Sequence, residues 1–395
     1  VLAAFRSRGL PALSDLYMHN RNLRLALMAF LGLVGLQLLN SLVRYGNPAI
    51  IVLGALFYLG PLIAMLVGAS YVDSEQRIRA FMRTYLVIFV PTALTVYLAP
   101  IFGMDFPVLR DVGTFIGQEL VIYDVGTVLQ SNPGLMRVGE IVAWHAATCV
   151  VFLSIESINS RSQLIRLFQG ILIILLLGAI VLTGRRKMLA ALTIFVMLQW
   201  SLLIWYRLGM RRISLVLLVL AIVATGFTLT YEPSETAANY LQRGSSVYGS
   251  MGDRAEVTVN LMRSAIQRSQ VIGLGAGSTS QGARFAGGGA IGAGGAAEAG
   301  FGKLIVELSF FGFLLLVAVI VIAALRVVRQ IPLVRDLGPT MLVYDVSFIA
   351  FLITNMITFA VASQLFGDLF VLIVTGTIAG FVVRIHNVAF DERVR

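Results

Sequence analysis

The chain has 395 residues, of which 58% are hydrophobic and 13% charged, with a mean hydropathy of +0.88 and a formal net charge of +10. A soluble domain carries about 25% charged residues, so this composition excludes one and places the chain in a membrane. The positive balance belongs to anchoring loops rather than to nucleic-acid binding, and the single cysteine, Cys149, excludes an intrachain disulfide and a cysteine metal cluster.

The first residue is Val1, so the amino end is expected to be incomplete, with one or more helices ahead of it. Arg6 and Arg8 resemble the end of a loop rather than a signal peptide, because no cleavage site follows. Ten apolar runs then predict ten spans, at 23–44, 48–70, 80–99, 139–157, 167–183, 188–206, 213–231, 303–325, 340–362 and 368–386. Arginines at 21, 24, 77, 79, 83, 161, 166, 207, 211, 212, 326, 329, 335, 384 and 393 all fall on one side in this count. The rule that positive charge stays inside makes that side cytoplasmic.

Two long segments are then outside, 100–138 and 232–302. The chain reads as a first bundle over 1–231 that includes the segment 100–138, a large outer segment over 232–302, and closing helices over 303–395. Twelve glycines stand between Gly273 and Gly302. They fit either a flexible linker or a backbone passing close to a substrate.

The cluster Thr183-Gly-Arg185-Arg186-Lys187 breaks the charge rule, since it falls on the outer side. Arginine offers a planar fork and lysine a point charge for phosphate oxygens, so an anionic substrate group at the membrane surface accounts for it. Anchoring by lipid headgroups is the plainer alternative. Next, Arg137, Glu140 and Trp144 have i, i+3, i+7 spacing on one helix face, with His145 beside them. Glu140 or His145 could take a proton and Trp144 could stack on a sugar; a structural ion pair and an interfacial aromatic explain the same residues.

In the large outer segment, Arg254, Arg263, Arg268 and Arg284 are further anion-binding candidates, and 259–272 is amphipathic enough for a helix along the surface. The run Gly273-Leu-Gly-Ala-Gly277 lacks the strand and βαβ setting of a dinucleotide loop, so it reads as a tight turn back toward the bilayer. Glu298 is the general-base candidate, Glu307 a residue that caps or pairs within the bundle, and Asp368 a weaker polar candidate. His19 and His386 read as interfacial histidines. Neither a Walker loop nor a metal motif is present in the sequence.

These residues together resemble the bacterial O-antigen polymerase and O-antigen ligase superfamily, which includes exopolysaccharide polymerases. The likeness rests on Thr183-Gly-Arg185-Arg-Lys187 at a span boundary, similar to the family's SGSRG or TGRR element. It rests also on Arg137-Val-Gly-Glu-Ile-Val-Ala-Trp-His145 opening a span, and on Asp253-Arg254 heading the stretch that ends in Ile272-Gly-Leu-Gly-Ala-Gly277. The last element is Glu298-Ala-Gly-Phe-Gly-Lys-Leu-Ile-Val-Glu307-Leu-Ser-Phe-Phe-Gly312, and the whole covers residues 40–385.

The resemblance implies an all-α polytopic membrane protein with a GT-C-like glycosyltransferase fold in the bacterial inner membrane, its active site facing outward. It implies a glycan donor and acceptor on undecaprenyl diphosphate, membrane lipids as surroundings, a chain-length regulator as partner, and neither cofactor nor metal. Arg185, Arg186 and Arg254 would engage the diphosphate, with Lys187 beside them. Ligases of the family often carry a His-Asn-type motif in the large outer loop, where this chain has no histidine and Glu298 stands nearest. That departure favours a polymerase. A ligase, a transporter or flippase, and a scaffold are the competing expectations.

Overall fold

In a computed structural model of the chain, residues 20–98, 121–124, 127–206, 251–269, 271–280, 282–283 and 299–394 are described, with 239 and 242 besides. The protein is a multi-pass helical membrane protein. Among the described residues nine helices are long and apolar enough to cross a bilayer. They are α1 (Arg21–Tyr45), α2 (Pro48–Tyr71), α3 (Glu75–Leu94, prolonged by a 3₁₀ turn to Tyr97), α4 (Gly139–Asn159), α5 (Gln163–Leu182) and α6 (Arg186–Trp205), then α8 (Gly300–Asp336), α9 (Pro339–Val361) and α10 (Leu369–Val394). The shorter amphipathic α7 (Met251–Ser269) precedes α8. The expected span at 213–231 lies outside the described residues. In the segment 100–138, Val121–Asp124 and Thr127–Gln130 pair as an antiparallel ribbon.

Local signals set several helix ends. Asn20 caps α1 by accepting from the amides of Asn22 and Leu23, and Gly46 closes it in the left-handed conformation. Asn47 with Pro48 at the first turn then starts α2 at once. Asp368 is an N-cap rather than a site residue: its Oδ1 accepts from the amides of Phe370 (2.9 Å) and Val371 (3.3 Å). The three arginines read as lying between the eighth and ninth spans, Arg326, Arg329 and Arg335, instead ride on α8, which runs on to Asp336.

The chain divides into two compact units, Val1–Arg77 with Gly252–Arg395, and Ile78–Met251. In the first, α2 and α10 approach closely because both present small residues. A Cβ at Gly68 would collide with the Thr377 backbone, one at Gly376 with Pro61, and one at Gly380 with Met65. Gly376 and Gly380 form a GxxxG pair, the spacing that lets membrane helices touch backbone to backbone. The main apolar core of this unit joins α1, α2, α7 and α8 through Phe30, Val34, Tyr58, Ala265, Ile305 and Leu308.

In the second unit α4 is the interior helix: 89% of its apolar window is buried, against 22% to 28% in α3, α5 and α6. The last three therefore turn broad apolar faces outward, as lipid-facing helices do. At one end of the unit Glu156 of α4 pairs with Arg79 (3.8 Å) and Arg83 (3.9 Å) of α3.

Helix α8 is broken. Ser309, buried, has φ 72° and ψ 169° in the middle of the helical run, a region that residues other than glycine rarely occupy and that costs about 1–3 kcal/mol. The break frees the carbonyls of Val306 and Glu307, which accept from the amides of Leu274 (2.8 Å) and Gly275 (3.1 Å). Ser309→Gly is expected to fold and melt at or above the wild-type temperature. Ser309→Val, β-branched at a positive φ, is expected to melt lower; thermal unfolding in detergent measures both, and equal melting of the two variants would remove the strain from this account.

Candidate functional site

Two polar clusters are built into the spans, one in each unit. In the second unit the turn from α5 to α6 is three residues long. Thr183 Oγ1 donates to Ile180 O (2.6 Å) and accepts from Arg185 N (3.2 Å), while Gly184 takes φ 68°. Only glycine makes so tight a reversal without steric cost. The preceding segment is tied to this turn by Asn132 Nδ2, which donates to Leu182 O (2.9 Å), and to the 3₁₀ turn after α3 by Leu135 N, which donates to Thr95 Oγ1 (3.0 Å).

This turn gathers the charges. Lys187 Nζ donates to Glu140 Oε1 (3.1 Å), and Arg185 Nη1 stands 3.7 Å from the same oxygen. The other guanidinium arm of Arg185 reaches Ser131 Oγ at 3.5 Å, and its Nε is buried without a hydrogen-bond partner. One carboxylate thus faces two cations, with Arg186 adjoining in sequence. Arg185 is the N-cap of α6 and Arg186 and Lys187 are its first two residues, at the end where the helix dipole already presents positive potential. Among the described residues the buried Arg185 Nε has no acceptor, so the turn can take a further anion.

The spacing argument for α4 holds only in part. The helix begins at Gly139, so Arg137 lies in the turn before it, exposed, and shares no helix face with Glu140. The ion-pair partners of Glu140 are Lys187 and Arg185, 47 and 45 residues away in sequence. Trp144 is 3% exposed and packs edge-on to His145, so it offers no open face for a sugar. His145 is 1% exposed, stacked on Phe89 with ring centroids 4.0 Å apart, its Nδ1 hydrogen-bonded to Tyr85 Oη (2.6 Å). These are core contacts, and they place the imidazole inside the unit. Cys149 is a buried free thiol in the same helix.

The first unit holds the second cluster, which sequence reasoning resolved only in outline. Glu307 is fully buried. Its Oε1 accepts from Lys303 Nζ (2.6 Å), Thr279 N (2.9 Å) and Thr279 Oγ1 (2.5 Å), and its Oε2 accepts from Tyr58 Oη (2.7 Å) and Gly277 N (3.1 Å). Lys303 also lies 4.7 Å from the centroid of Phe57. With both oxygens saturated, this carboxylate is a fastener for the turn 273–280 and has no lone pair left for proton abstraction.

The turn is seated from the other side by α1. Gln37 Nε2 donates to Ile272 O (2.6 Å), Asn40 Nδ2 to Gly273 O (3.3 Å), Arg44 Nη1 to Gly273 O (3.4 Å) and Ser41 Oγ to Ala276 O (2.7 Å). Positions 37, 40, 41 and 44 repeat at i, i+3, i+4 and i+7, a polar stripe inside an apolar span. That stripe was the signal in the sequence for a docked segment. Non-helical backbone at membrane depth is tolerated where protein groups satisfy it, which these side chains and the freed carbonyls of α8 do.

The glycines of Gly273-Leu-Gly-Ala-Gly277 have φ of 87°, 98° and 85°. A Cβ on Gly275 would collide with Ser41, on top of the unfavourable φ. Gly275→Ala is expected to lower the melting temperature clearly, whereas Gly46→Ala, with open space around its Cβ, carries the positive-φ cost alone. Comparable losses in the two variants would show that packing of the turn adds nothing.

The remaining candidates separate. Arg254 lies on α7, and Arg263 and Arg268 are exposed on the same helix. Glu298, Arg284 and His19 lie outside the described residues. His386 is a correction: it is fully buried, with Nε2 3.0 Å and 3.1 Å from the two carboxylate oxygens of Asp345 on α9, because α10 continues past the expected end at 386 to Val394. Among the described residues no three His, Cys, Asp or Glu side chains come together as a metal-ligand set. No family model matches the chain, and no curated protein matches it.

Proposed function

We propose that the protein is a membrane glycosyltransferase that polymerises polysaccharide repeat units carried on undecaprenyl diphosphate, at the outer face of a bacterial inner membrane. The observation that supports the reading best is at Arg185, whose Nε is buried with no acceptor among the described residues and whose contacts to Glu140 and Ser131 are long. A diphosphate oxygen at this turn supplies the missing acceptor. Guanidinium and ammonium groups fixed there stabilise negative charge as it develops on the leaving diphosphate.

In the proposed step a hydroxyl oxygen of the acceptor repeat attacks the anomeric carbon of the donor glycan from the face opposite the diphosphate. The bond from that carbon to the diphosphate oxygen breaks, and its electron pair leaves on the diphosphate. The hydroxyl proton passes to Glu298, the assigned base. Arg185 and Lys187 hold the leaving group, Glu140 keeps these two cations at their separation, and Arg254 is assigned to the same substrate from the sequence resemblance. The activated donor supplies the energy, so no nucleotide enters.

The test is chain growth by purified protein in vesicles loaded with lipid-linked repeats, wild type beside Arg185→Ala. A ladder of longer lipid-linked products that collapses in the variant supports the reading. An undiminished ladder removes Arg185 from the mechanism. A transporter is the second reading, favoured by the broken α8 and its docked turn, since interrupted helices line transport sites. Movement of the lipid-linked repeat across the bilayer without any growth in product length would select it.

A further inference from the structure

We propose that α7, with Val271 and Ile272 beyond it, forms a membrane-inserted edge, whose occupant is the acyl-chain region of the phospholipid leaflet at the Tyr45 end of α1. By hydropathy this stretch is no span: α7 is absent from the helices able to cross a bilayer. Its depth is set by what it is bonded to. Ile272 O accepts from Gln37, which stands eight residues before the end of α1 at Tyr45, about 12 Å at 1.5 Å per residue. Leu274 N donates to Val306 O, six residues into α8 from Gly300, about 9 Å by the same rise. The bond to α1 therefore places Ile272 well below the Tyr45 end of that span, at or beyond the 5–10 Å that interfacial helices reach, and the bond to Val306 seats Leu274 against the segment of α8 that precedes the break at Ser309.

At that depth the side chains are apolar and uncovered. Val271 is 77% exposed and Ile272 69% exposed. They continue the lipid-facing surface of α1, where Leu36 and Leu39 are exposed on either side of Gln37 in sequence. The helix before them is sorted into three faces. Ala265 and Ser269 are buried against the unit, and Glu256, Asn260 and Gln267 are exposed on the opposite side. Val259 and Ile266, seven residues apart, are exposed on one flank between those faces, with Arg263 beside them. A helix with one face on protein, one polar face and an apolar flank is ordered for a position at the lipid boundary. The exposed Arg263 and Arg268 are long enough to reach phosphate level from it.

The occupant follows from continuity with the α1 surface and from the depth; a soluble partner could not reach Ile272 without displacing lipid. The single native cysteine, Cys149, is buried, so introduced cysteines can be labelled in the full-length protein with a small fluorophore. Single variants Ile272→Cys, Ile266→Cys, Glu256→Cys and Asn260→Cys, with Leu36→Cys, beside Gln37, as lipid-facing reference, are reconstituted in phosphatidylcholine vesicles containing brominated acyl chains, and aqueous iodide is added separately. Labels at 272 and 266 are expected to be quenched by brominated lipid as strongly as the label at 36 and to resist iodide, with labels at 256 and 260 doing the reverse. Iodide quenching at 272 and 266 equal to that at 256, or lipid quenching equal at all four positions, overturns the proposal. Val271→Cys provides the same reading should Ile272→Cys fail to fold. Chain-growth activity does not enter the measurement, so its outcome is independent of the glycosyltransferase reading.

Discussion

Glu307→Gln is expected to be the most damaging single substitution in the membrane-embedded core. The carboxylate accepts five hydrogen bonds from four residues and is fully buried, and its charge partner Lys303 is only 6% exposed at the side chain. Replacing the acid with an amide keeps the shape but leaves the ammonium buried with no counter-charge. It also turns one amide NH₂ toward groups that themselves donate. Breaking one partner of a buried pair costs about 3–5 kcal/mol, a large fraction of a typical stability. The expected result is a large drop in melting temperature and in detergent-extractable protein.

The double variant Glu307→Gln/Lys303→Met separates charge from shape. Removing both charges takes away the isolated ammonium, so the double variant should recover a substantial part of the loss. Residues in one network are not additive, and the recovered portion measures the coupling. If Glu307→Gln melted within a degree of wild type, the pair would not be holding the turn 273–280 in place.

Arg185→Ala is expected to act in the opposite manner, on activity and hardly on stability. Its Nη1 contact with Glu140 is 3.7 Å, its contact with Ser131 is 3.5 Å, and its side chain is 19% exposed. Partly exposed pairs of this length contribute about 0–1 kcal/mol. Loss of a fixed donor to developing negative charge lowers the chemical rate about 10²–10³-fold. Arg185→Lys should fall between, since lysine restores charge without the planar fork. Turnover of lipid-linked repeats, measured alongside melting temperature, tells a catalytic loss from a folding one. A variant that melts early and loses activity in proportion would make Arg185 a structural residue.

The two clusters differ in how far the sequence revealed them. Arg185, Arg186 and Lys187 stood out because their charge opposed a topological rule that needs only span counting. Their counter-charge was missed because Glu140 was paired with the nearer Arg137, at helical spacing. Helix α4 starts two residues after Arg137, and a helix-face argument fails for a residue outside the helix. The glycine run was read as a turn toward the bilayer, and residues 273–277 do dock among spans. What it docks on was not legible from local pattern: Gln37 and Ile272 are 235 residues apart, and Tyr58 and Glu307 are 249 apart. The stripe Gln37, Asn40, Ser41 and Arg44 and the pair Gly376 and Gly380 are signals in the sequence that hydropathy averaged over a whole span hides.

From its sequence alone this protein is determined to be a polytopic helical membrane protein, because the length of an apolar run is a local quantity and a bilayer rewards it locally. Nine of the ten expected spans are helices among the described residues, and the tenth falls outside them. The tertiary structure decided the partners: which cations share Glu140, where α8 breaks, and why Glu307 is buried against Lys303 and His386 against Asp345. Those outcomes depend on desolvation, and whether a charged group keeps its water is settled only when distant helices close around it.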